Sequence, residues 1–209
     1  MRALMPLYAG KTVCFAPGTK ACLRLIGTHC IETVVATTNE TLPLVEEIEN
    51  GARHRLGSLK EIQLGGNFLS RDLAPRVQSR LCRQLIIEYG VTESGLIALA
   101  NYDMIAHVPN AVGFVLPDVD LEIIDETNAV LPFGEEGLVR CRTNCFANLI
   151  AANNAGRSRG ATDTWCYPGD LGRLTPDGML CIGGRADDAM LSGVAGEEVA
   201  QDSRRIDFA

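Results

Sequence analysis

Residues 85–96 read Leu-Ile-Ile-Glu-Tyr-Gly-Val-Thr-Glu-Ser-Gly-Leu, and this stretch decides the fold that we predict for the chain. A short run of large apolar residues that ends at a glycine is typical of a buried strand. The turn that follows carries an aromatic ring, hydroxyls and a carboxylate. Ligands of open α/β sheets bind at the carboxyl ends of strands, so polar groups at this tip indicate a ligand site. An ordinary strand and turn is the alternative, because tight turns need glycine in any case.

Three side chains of this turn indicate what kind of ligand it would hold. The ring of Tyr89 can stack on a base, and the hydroxyl of Thr92 can reach a phosphate. The carboxylate of Glu93 is a ligand that hard cations prefer. A nucleotide with its metal ion combines all three features.

Strands and helices alternate through the first half of the chain. We predict strands at 11–16, 33–37, 59–64 and from Leu85. Helices that begin near Thr19, Asn39 and Ser70 separate these strands, and Thr19 and Asn39 are the predicted caps of the first two helices. Alternation of this kind implies parallel pairing with right-handed crossovers. The predicted fold class is therefore α/β, with a layered, mostly parallel sheet. The strand ends Gly65-Gly66 and Tyr89-Gly90 are expected at the same edge of that sheet.

The second half, beyond Pro109, changes to short strands and turns and is predicted to form a small, barrel-like β subdomain. Residues 120–124 and 137–141 form one predicted hairpin. Residues 170–174 and 179–183 form another around Thr175-Pro176-Asp177-Gly178, where Pro and Gly favour a tight turn. Residues 148–164 are rich in small and polar side chains and are predicted to be a mobile loop. We divide the chain into residues 1–108, 109–190 and a tail at 191–209.

Composition excludes several classes of partner. The net charge is −7 and the 19 lysines and arginines are scattered, which argues against nucleic acid and anionic membrane surfaces. No apolar run approaches the roughly twenty residues that cross a bilayer. Residues 1–6 do not resemble a secretory signal, and the eight cysteines include no CxxC pair. We therefore expect a protein of the reducing cytoplasm with buried thiols.

Five segments occur together in an order and spacing that resemble the adenylate-forming superfamily. They are Leu59–Gly66, Tyr89–Glu93, Gly134–Leu138, Tyr167–Gly172 and Gly184–Asp188. This superfamily comprises acyl-CoA synthetases, the adenylation domains of peptide synthetases, and luciferase. The resemblance extends from about residue 4 to about residue 193 and identifies residues 1–108 as the α/β subdomain of an AMP-binding domain.

The resemblance implies roles around the nucleotide. By match to the family motifs, Gly65, Gly66 and the Tyr89-Gly90 pair would enclose adenine. Thr92 would contact the α-phosphate, and Glu93 would coordinate Mg²⁺, which makes these two residues the candidate catalytic groups. ATP or AMP, Mg²⁺ and coenzyme A are the implied cofactors, and the implied reaction joins a carboxylate to ATP and passes the acyl group to a thiol.

Further roles follow from the same match. Asp170 and Arg185 would bind the ribose hydroxyls, and Asp187 would be the hinge of a small carboxy-terminal domain. A carboxylate accepts hydrogen bonds from vicinal hydroxyls and a guanidinium donates them, so the residue types suit these roles. The acyl pocket would be shaped by Asn67, Ser94 and Gly95, together with Leu96.

The sequence departs from the family pattern in several places. The family's Ser/Thr/Gly-rich phosphate loop is not found, and a carboxy-terminal domain would need roughly a hundred more residues. Pro168 stands where the family usually has Thr, and Met190 and Leu191 stand near the position of a Lys in many members.

We therefore expect a fragment of an acyl-CoA synthetase or acyl-adenylate ligase that is inactive alone, with a small carboxylic acid and a nucleotide as its ligands. Self-association or a complementary polypeptide is expected as well. The alternatives are a nucleotide- or acyl-adenylate-binding module without catalysis, and a pseudoenzyme remnant.

Overall fold

The structure is a computed structural model that describes residues 4–66, 69–70, 72–92, 94–143 and 165–186. Within these ranges the helices are α1 (Leu4–Tyr8), α2 (Thr19–His29), α3 (Thr38–Glu49), α4 (Leu73–Arg80) and α5 (Tyr102–Ile105). The strands are β1 (Thr33–Thr37), β2 (Glu61–Gly65), β3 (Gln84–Val91), β4 (Gly95–Asn101), β5 (Ala111–Val115), β6 (Val119–Ile124), β7 (Gly137–Thr143), β8 (Asp170–Leu174) and β9 (Met179–Arg185). No helix in these ranges is long and apolar enough to span a membrane.

All of these strands belong to one nine-stranded sheet in the order β1-β2-β3-β4-β5-β9-β8-β7-β6. The α/β class is confirmed, but pairing is parallel only from β1 to β3 and antiparallel elsewhere. Parallel pairing requires a long crossover, whereas β3 ends at Val91 and β4 begins only four positions later, at Gly95. The sheet is continuous across residue 108, because β5 pairs with both β4 and β9.

Three local register shifts bend the sheet, and each includes a glycine. They lie at Tyr89/Gly90 between β3 and β4, at Ala111/Gly113 between β5 and β9, and at Leu171/Gly172 between β8 and β9. β-Bulges bend a strand and increase its twist. A Cβ at Gly113 would lie 2.5 Å from the backbone carbon of Leu99, so a side chain cannot occupy this bend.

Two hydrophobic cores lie along this sheet. The first is formed by α2, α3 and α4 against β2 and β3, with Leu23, Val45, Val77 and Leu85 fully buried. The second lies between β4, β6, β7 and β9, and its members are Ile97, Ala98, Ile123, Val139, Cys141, Leu180 and Ile182. The ring of Tyr89 packs against the second core. The bent sheet therefore brings β3 close to the strands of the β-rich half.

The predicted hairpins of the second half are confirmed. β6 pairs with β7 in a register that places Glu122 opposite Arg140, and the two side chains form an ion pair. β8 pairs with β9 around the turn 175–178, in which Gly178 has φ 81°. Residues 148–164 and 191–209, for which we predict a mobile loop and a tail, lie outside the described residues.

One predicted strand and two predicted helix caps are wrong. Thr19 is the first residue of α2, whose N-cap is Gly18. Residues 11–16 form no strand, because they pair with no neighbour among the described strands. The predicted cap Asn39 lies inside α3, which is capped by Thr37 instead. The Thr37 Oγ1 accepts from the Glu40 backbone N–H at 3.3 Å, and Glu40 Oε2 accepts from the Thr37 N–H at 2.7 Å. This reciprocal pair is a capping box, which stabilises the first turn of a helix.

We expect Thr37→Ala to lower the free energy of unfolding by about 1 kcal/mol, because it removes the oxygen that caps α3. Asn39→Ala is the matched control and should change it by less than about 0.5 kcal/mol, since Asn39 is exposed. Urea denaturation measures both values. A larger loss in Asn39→Ala than in Thr37→Ala would contradict the assignment of the cap.

Candidate functional site

A hydrogen bond between two distant strands lies at the centre of the candidate site. The Tyr89 hydroxyl on β3 donates to Asp170 Oδ2 on β8, with an oxygen–oxygen distance of 2.5 Å. In the sheet, β4, β5 and β9 lie between these two strands. The contact therefore exists only because the sheet curls. Asp170, with 7% of its surface exposed, is one of four buried polar or charged residues in the part of the chain that the structure describes.

Arg185 completes this cluster from β9. Asp170 and Arg185 are paired residues in the β8–β9 register, and Arg185 Nη1 lies 3.3 Å from Asp170 Oδ1. The same nitrogen donates to the Pro168 carbonyl at 2.8 Å. Gly169 has φ 80°, and a Cβ there would lie 3.2 Å from Arg185 Nη2. Glycine at 169 therefore permits both the turn and the approach of the guanidinium.

The electrostatics of the cluster keep the Tyr89 hydroxyl protonated. Burial raises the pKa of Tyr89 well above its usual range, and the hydrogen bond to the Asp170 carboxylate raises this pKa further. Arg185 acts in the opposite direction to a smaller extent. Tyr89 is thus a fixed donor, and it holds one oxygen of the carboxylate in a defined position.

A cavity of about 330 Å³ lies at the carboxyl ends of the first three strands. The parallel register, in which Leu64 is paired with Ile87, brings the ends of β2 and β3 side by side, as predicted. A Cβ at Gly90 would lie 2.2 Å from the Gly95 carbonyl oxygen, so residue 90 must be glycine. The residues that line the cavity are Val35, Ala36, Thr37, Glu40, Gly65, Gly66 and Gly90.

The turn between β3 and β4 contains the other candidate residues. Thr92 is exposed, whereas Ser94 is buried, with 4% of its surface exposed. The Cys141 thiol donates to Ser94 Oγ at 3.3 Å, and Thr143 Oγ1 donates to the Ser94 carbonyl at 3.3 Å. Gly95 begins β4 with φ 73°. The turn is therefore attached to β7 through Ser94.

The structure brings the candidate residues together in two groups, one around the cavity and one around Asp170. Gly65, Gly66 and Gly90 belong to the first group. Tyr89, Asp170 and Arg185 belong to the second. Thr92, Ser94 and Gly95 belong to neither group and lie between β3 and β4 or at the start of β4. Asn67, Glu93 and Asp187 lie outside the described residues, and the roles of all these residues stay predictions.

Four cavity residues are missing from the sequence-based candidates, and two of them, Thr37 and Glu40, have polar side chains. The pattern Thr37-Thr38-Asn39-Glu40 is a Ser/Thr-x-x-Glu capping signature and could have identified both. Their contacts lower the pKa of the Glu40 carboxyl, chiefly through the Thr37 backbone N–H. Glu40 therefore places a negative charge at the wall of the cavity.

A stacked tryptophan lies on the outer side of the β-rich half. Arg140 Cζ lies 4.6 Å and Arg142 Cζ lies 4.9 Å from the centre of the Trp165 ring. These distances are within the range of cation–π attraction. These contacts hold the Trp165 ring against β7. Trp165 lies five residues before Asp170 in the sequence.

Comparison with known proteins identifies relatives. Residues 1–149 match the model of the family described as AMP-binding enzyme. Enterobactin synthase component E of Escherichia coli is 30% identical over 198 residues, which cover 92% of this chain and 36% of that protein. Human mitochondrial acyl-coenzyme A synthetase ACSM4 is 30% identical over 145 residues, covering 67% of this chain and 25% of that protein.

Solved structures share the fold. O-succinylbenzoate coenzyme A synthetase of Bacillus subtilis in complex with AMP has a TM-score of 0.68 at 22% identity, covering 88% of this chain and 38% of that one. Its complex with ATP and a magnesium ion has a TM-score of 0.66. The chain spans about a third of the length of the curated relatives that it matches most extensively.

We expect Tyr89→Phe to lower the free energy of unfolding by about 1–3 kcal/mol, because it leaves the buried Asp170 carboxylate without this donor. Tyr102→Phe is the control, since Tyr102 is also partly buried and packs against the first core. Urea denaturation near neutral pH measures the difference. Equal losses of unfolding free energy in Tyr89→Phe and Tyr102→Phe would show that the hydrogen bond from Tyr89 to Asp170 does not stabilise the folded chain.

The contribution of Tyr89 should also depend on pH. Its pKa is raised in the folded state, so its contribution is complete below the unfolded pKa of about 10 and is lost as the pH rises above that value. The stability difference between the native chain and Tyr89→Phe should stay constant up to about pH 9 and shrink at higher pH. A difference that grows in alkaline solution would contradict the raised pKa.

Proposed function

The chain belongs to the AMP-binding enzyme family, and on that premise we propose that it binds the adenosine part of ATP or AMP with Asp170 as the ribose acceptor. The observation that carries this proposal is the buried carboxylate of Asp170, which Tyr89 and Arg185 hold at the start of β8. A buried carboxylate is costly unless it is hydrogen-bonded, and this one is fixed from two sides.

The chemistry of the cluster suits a pair of vicinal hydroxyls. An ionised carboxylate has about four lone-pair sites. Tyr89 uses a site on Oδ2 and Arg185 approaches Oδ1, which leaves capacity on both oxygens. The Arg185 side chain is 52% exposed and has further N–H donors for ribose oxygens. Together these groups can accept from the two hydroxyls and donate to their oxygens.

We place the adenine ring in the glycine-lined cavity. Its volume of about 330 Å³ is at the lower end of the range for small-molecule sites. Gly65, Gly66 and Gly90 expose backbone groups there without side chains, so a flat ring can approach closely. Tyr89 precedes Gly90 and connects this cavity with the ribose cluster.

The proposed reaction of the whole protein is the AMP-forming ligation of a carboxylic acid to a thiol. A carboxylate oxygen would attack the α-phosphorus of ATP, pyrophosphate would leave, and a thiol such as that of coenzyme A would then displace AMP from the acyl carbon. In this chain, Thr92 would contact the α-phosphate, while Asn67, Ser94 and Gly95 would border the acyl group. The human relative is named an acyl-coenzyme A synthetase, which supports this reaction class.

The metal and hinge assignments rest on sequence match. Mg²⁺ would neutralise the phosphate charge, with Glu93 as its carboxylate ligand, and one carboxylate plus phosphate oxygens is a set that this ion prefers. Asp187 is proposed as the hinge that precedes a carboxy-terminal domain.

Nucleotide binding without turnover is the second candidate function. The contacts of Asp170 and Arg185 serve adenosine binding whether or not adenylation follows. Pyrophosphate release with a panel of aryl and medium-chain fatty acids tests whether this chain turns over. Release that depends on the added acid supports the ligase and contradicts the binding module, whereas saturable AMP binding without release is the result expected both of the binding module and of a ligase fragment that is inactive alone.

We expect Asp170→Asn to weaken AMP binding at least tenfold, because an amide replaces one acceptor oxygen with a donor and removes the charge. Isothermal titration calorimetry measures the dissociation constants. Asp118→Asn is the control, since it makes the same chemical change at an exposed turn position. AMP affinity that is equal in the native chain and Asp170→Asn would contradict the ribose site, provided that circular dichroism shows both to be folded.

A further inference from the structure

Two cysteines face each other across an antiparallel pair next to the site. The Cys141 N–H donates to the Cys166 carbonyl at 2.9 Å, and the Cys166 N–H donates to the Cys141 carbonyl at 2.8 Å. Reciprocal bonds of this kind define a directly opposed, hydrogen-bonded pair, whose Cα atoms are about 5.5 Å apart. That separation lies within the range that a disulfide spans.

The side chains of the pair lie on the same side of the sheet. On β7, Arg140 and Arg142 stack on Trp165 at the outer face, so Cys141 between them faces inward. Because Cys166 follows Trp165 directly, it faces inward as well. Both cysteines belong to the second core, where Cys141 is fully buried and Cys166 is packed against the buried members.

We propose that Cys141 and Cys166 are an oxidative modification site, at which a peroxide converts the two thiols into a cross-strand disulfide. The two residues are free thiols in this structure. This proposal is independent of the proposed ligase function, since it rests on the opposed pair alone.

The exposures of the two thiols set the order of the chemistry. Cys166 is partly exposed and meets the oxidant first, whereas burial raises the pKa of Cys141 to about 11 and keeps it a thiol at neutral pH. The Cys166 thiolate attacks a peroxide oxygen, the O–O bond breaks, and a sulfenic acid and water form. The Cys141 sulfur then attacks the sulfenic sulfur; the S–S bond forms and water leaves with the thiol proton. In total, two thiols lose two electrons and one hydrogen peroxide becomes two waters.

The disulfide would change two contacts near the candidate site. It would remove the proton that Cys141 donates to Ser94 Oγ in the turn between β3 and β4. It would also fix the segment from Trp165 to Gly169 on β7, and this segment leads directly into Asp170. The oxidation state of the pair would thereby affect both the turn between β3 and β4 and the segment that positions Asp170.

Peptide mapping tests the proposal directly. The purified, reduced chain is treated with hydrogen peroxide, its remaining thiols are alkylated, and it is digested with trypsin without reduction. Cleavage after arginine places Cys141 in peptide 141–142, Cys145 in peptide 143–157 and Cys166 in peptide 160–173. We expect a species in which peptide 141–142 is linked to peptide 160–173, with a mass two hydrogens below the sum of the two peptide masses. This linked species should disappear after treatment with dithiothreitol.

Variants and a competing cysteine make the test specific. Cys166→Ser should abolish the linked peptide, whereas Cys181→Ser, which changes another buried cysteine, should leave its yield unchanged. Oxidation that stops at sulfenic or sulfinic acid on Cys166 would overturn the proposal. A link between peptides 143–157 and 160–173 as the main product would overturn it as well, because Cys145 would then be the partner.

Discussion

The structure depends on one contact, the hydrogen bond from Tyr89 to Asp170, because it joins strands that are not neighbours in the sheet. The two residues are 81 positions apart in sequence and belong to the two halves of the chain. The bond closes a curled sheet around the second core and holds a buried carboxylate in place. The carboxylate that we propose as the ribose acceptor, Asp170, is held on one side by this bond and on the other by Arg185.

Glycines make the curl possible. Gly90, Gly113 and Gly172 each lie at a register shift, and at each of them a Cβ would come within 2.7 Å of backbone atoms of a neighbouring strand. A side chain at any of these positions would force the strands apart and flatten the sheet. The same absence of side chains leaves room for a flat ring at Gly90. Fold and candidate site therefore share a physical requirement, the close approach of backbones.

The sequence allowed the fold class, the family and most strands to be predicted, because buried strands and tight turns leave strong local patterns. The β8–β9 hairpin followed from the segments 170–174 and 179–183 and from the turn residues Pro176 and Gly178 between them. The strand predicted at 11–16 was wrong because its β-branched pattern says nothing about whether a neighbour is available for pairing. The hydrogen bond between Tyr89 and Asp170 was not predicted, because the family resemblance gave the two residues separate roles and no local pattern encodes how far a sheet curls.

The most direct test of the central claim compares AMP with 2′,3′-dideoxy-AMP on the native chain and on Asp170→Asn. If Asp170 accepts from the ribose hydroxyls, removal of the hydroxyls should weaken binding about tenfold or more in the native chain and have little further effect in the variant. The two changes would then be coupled in a double-mutant cycle. The same loss of affinity in both proteins would show that Asp170 and the ribose do not interact, and would contradict the proposed site.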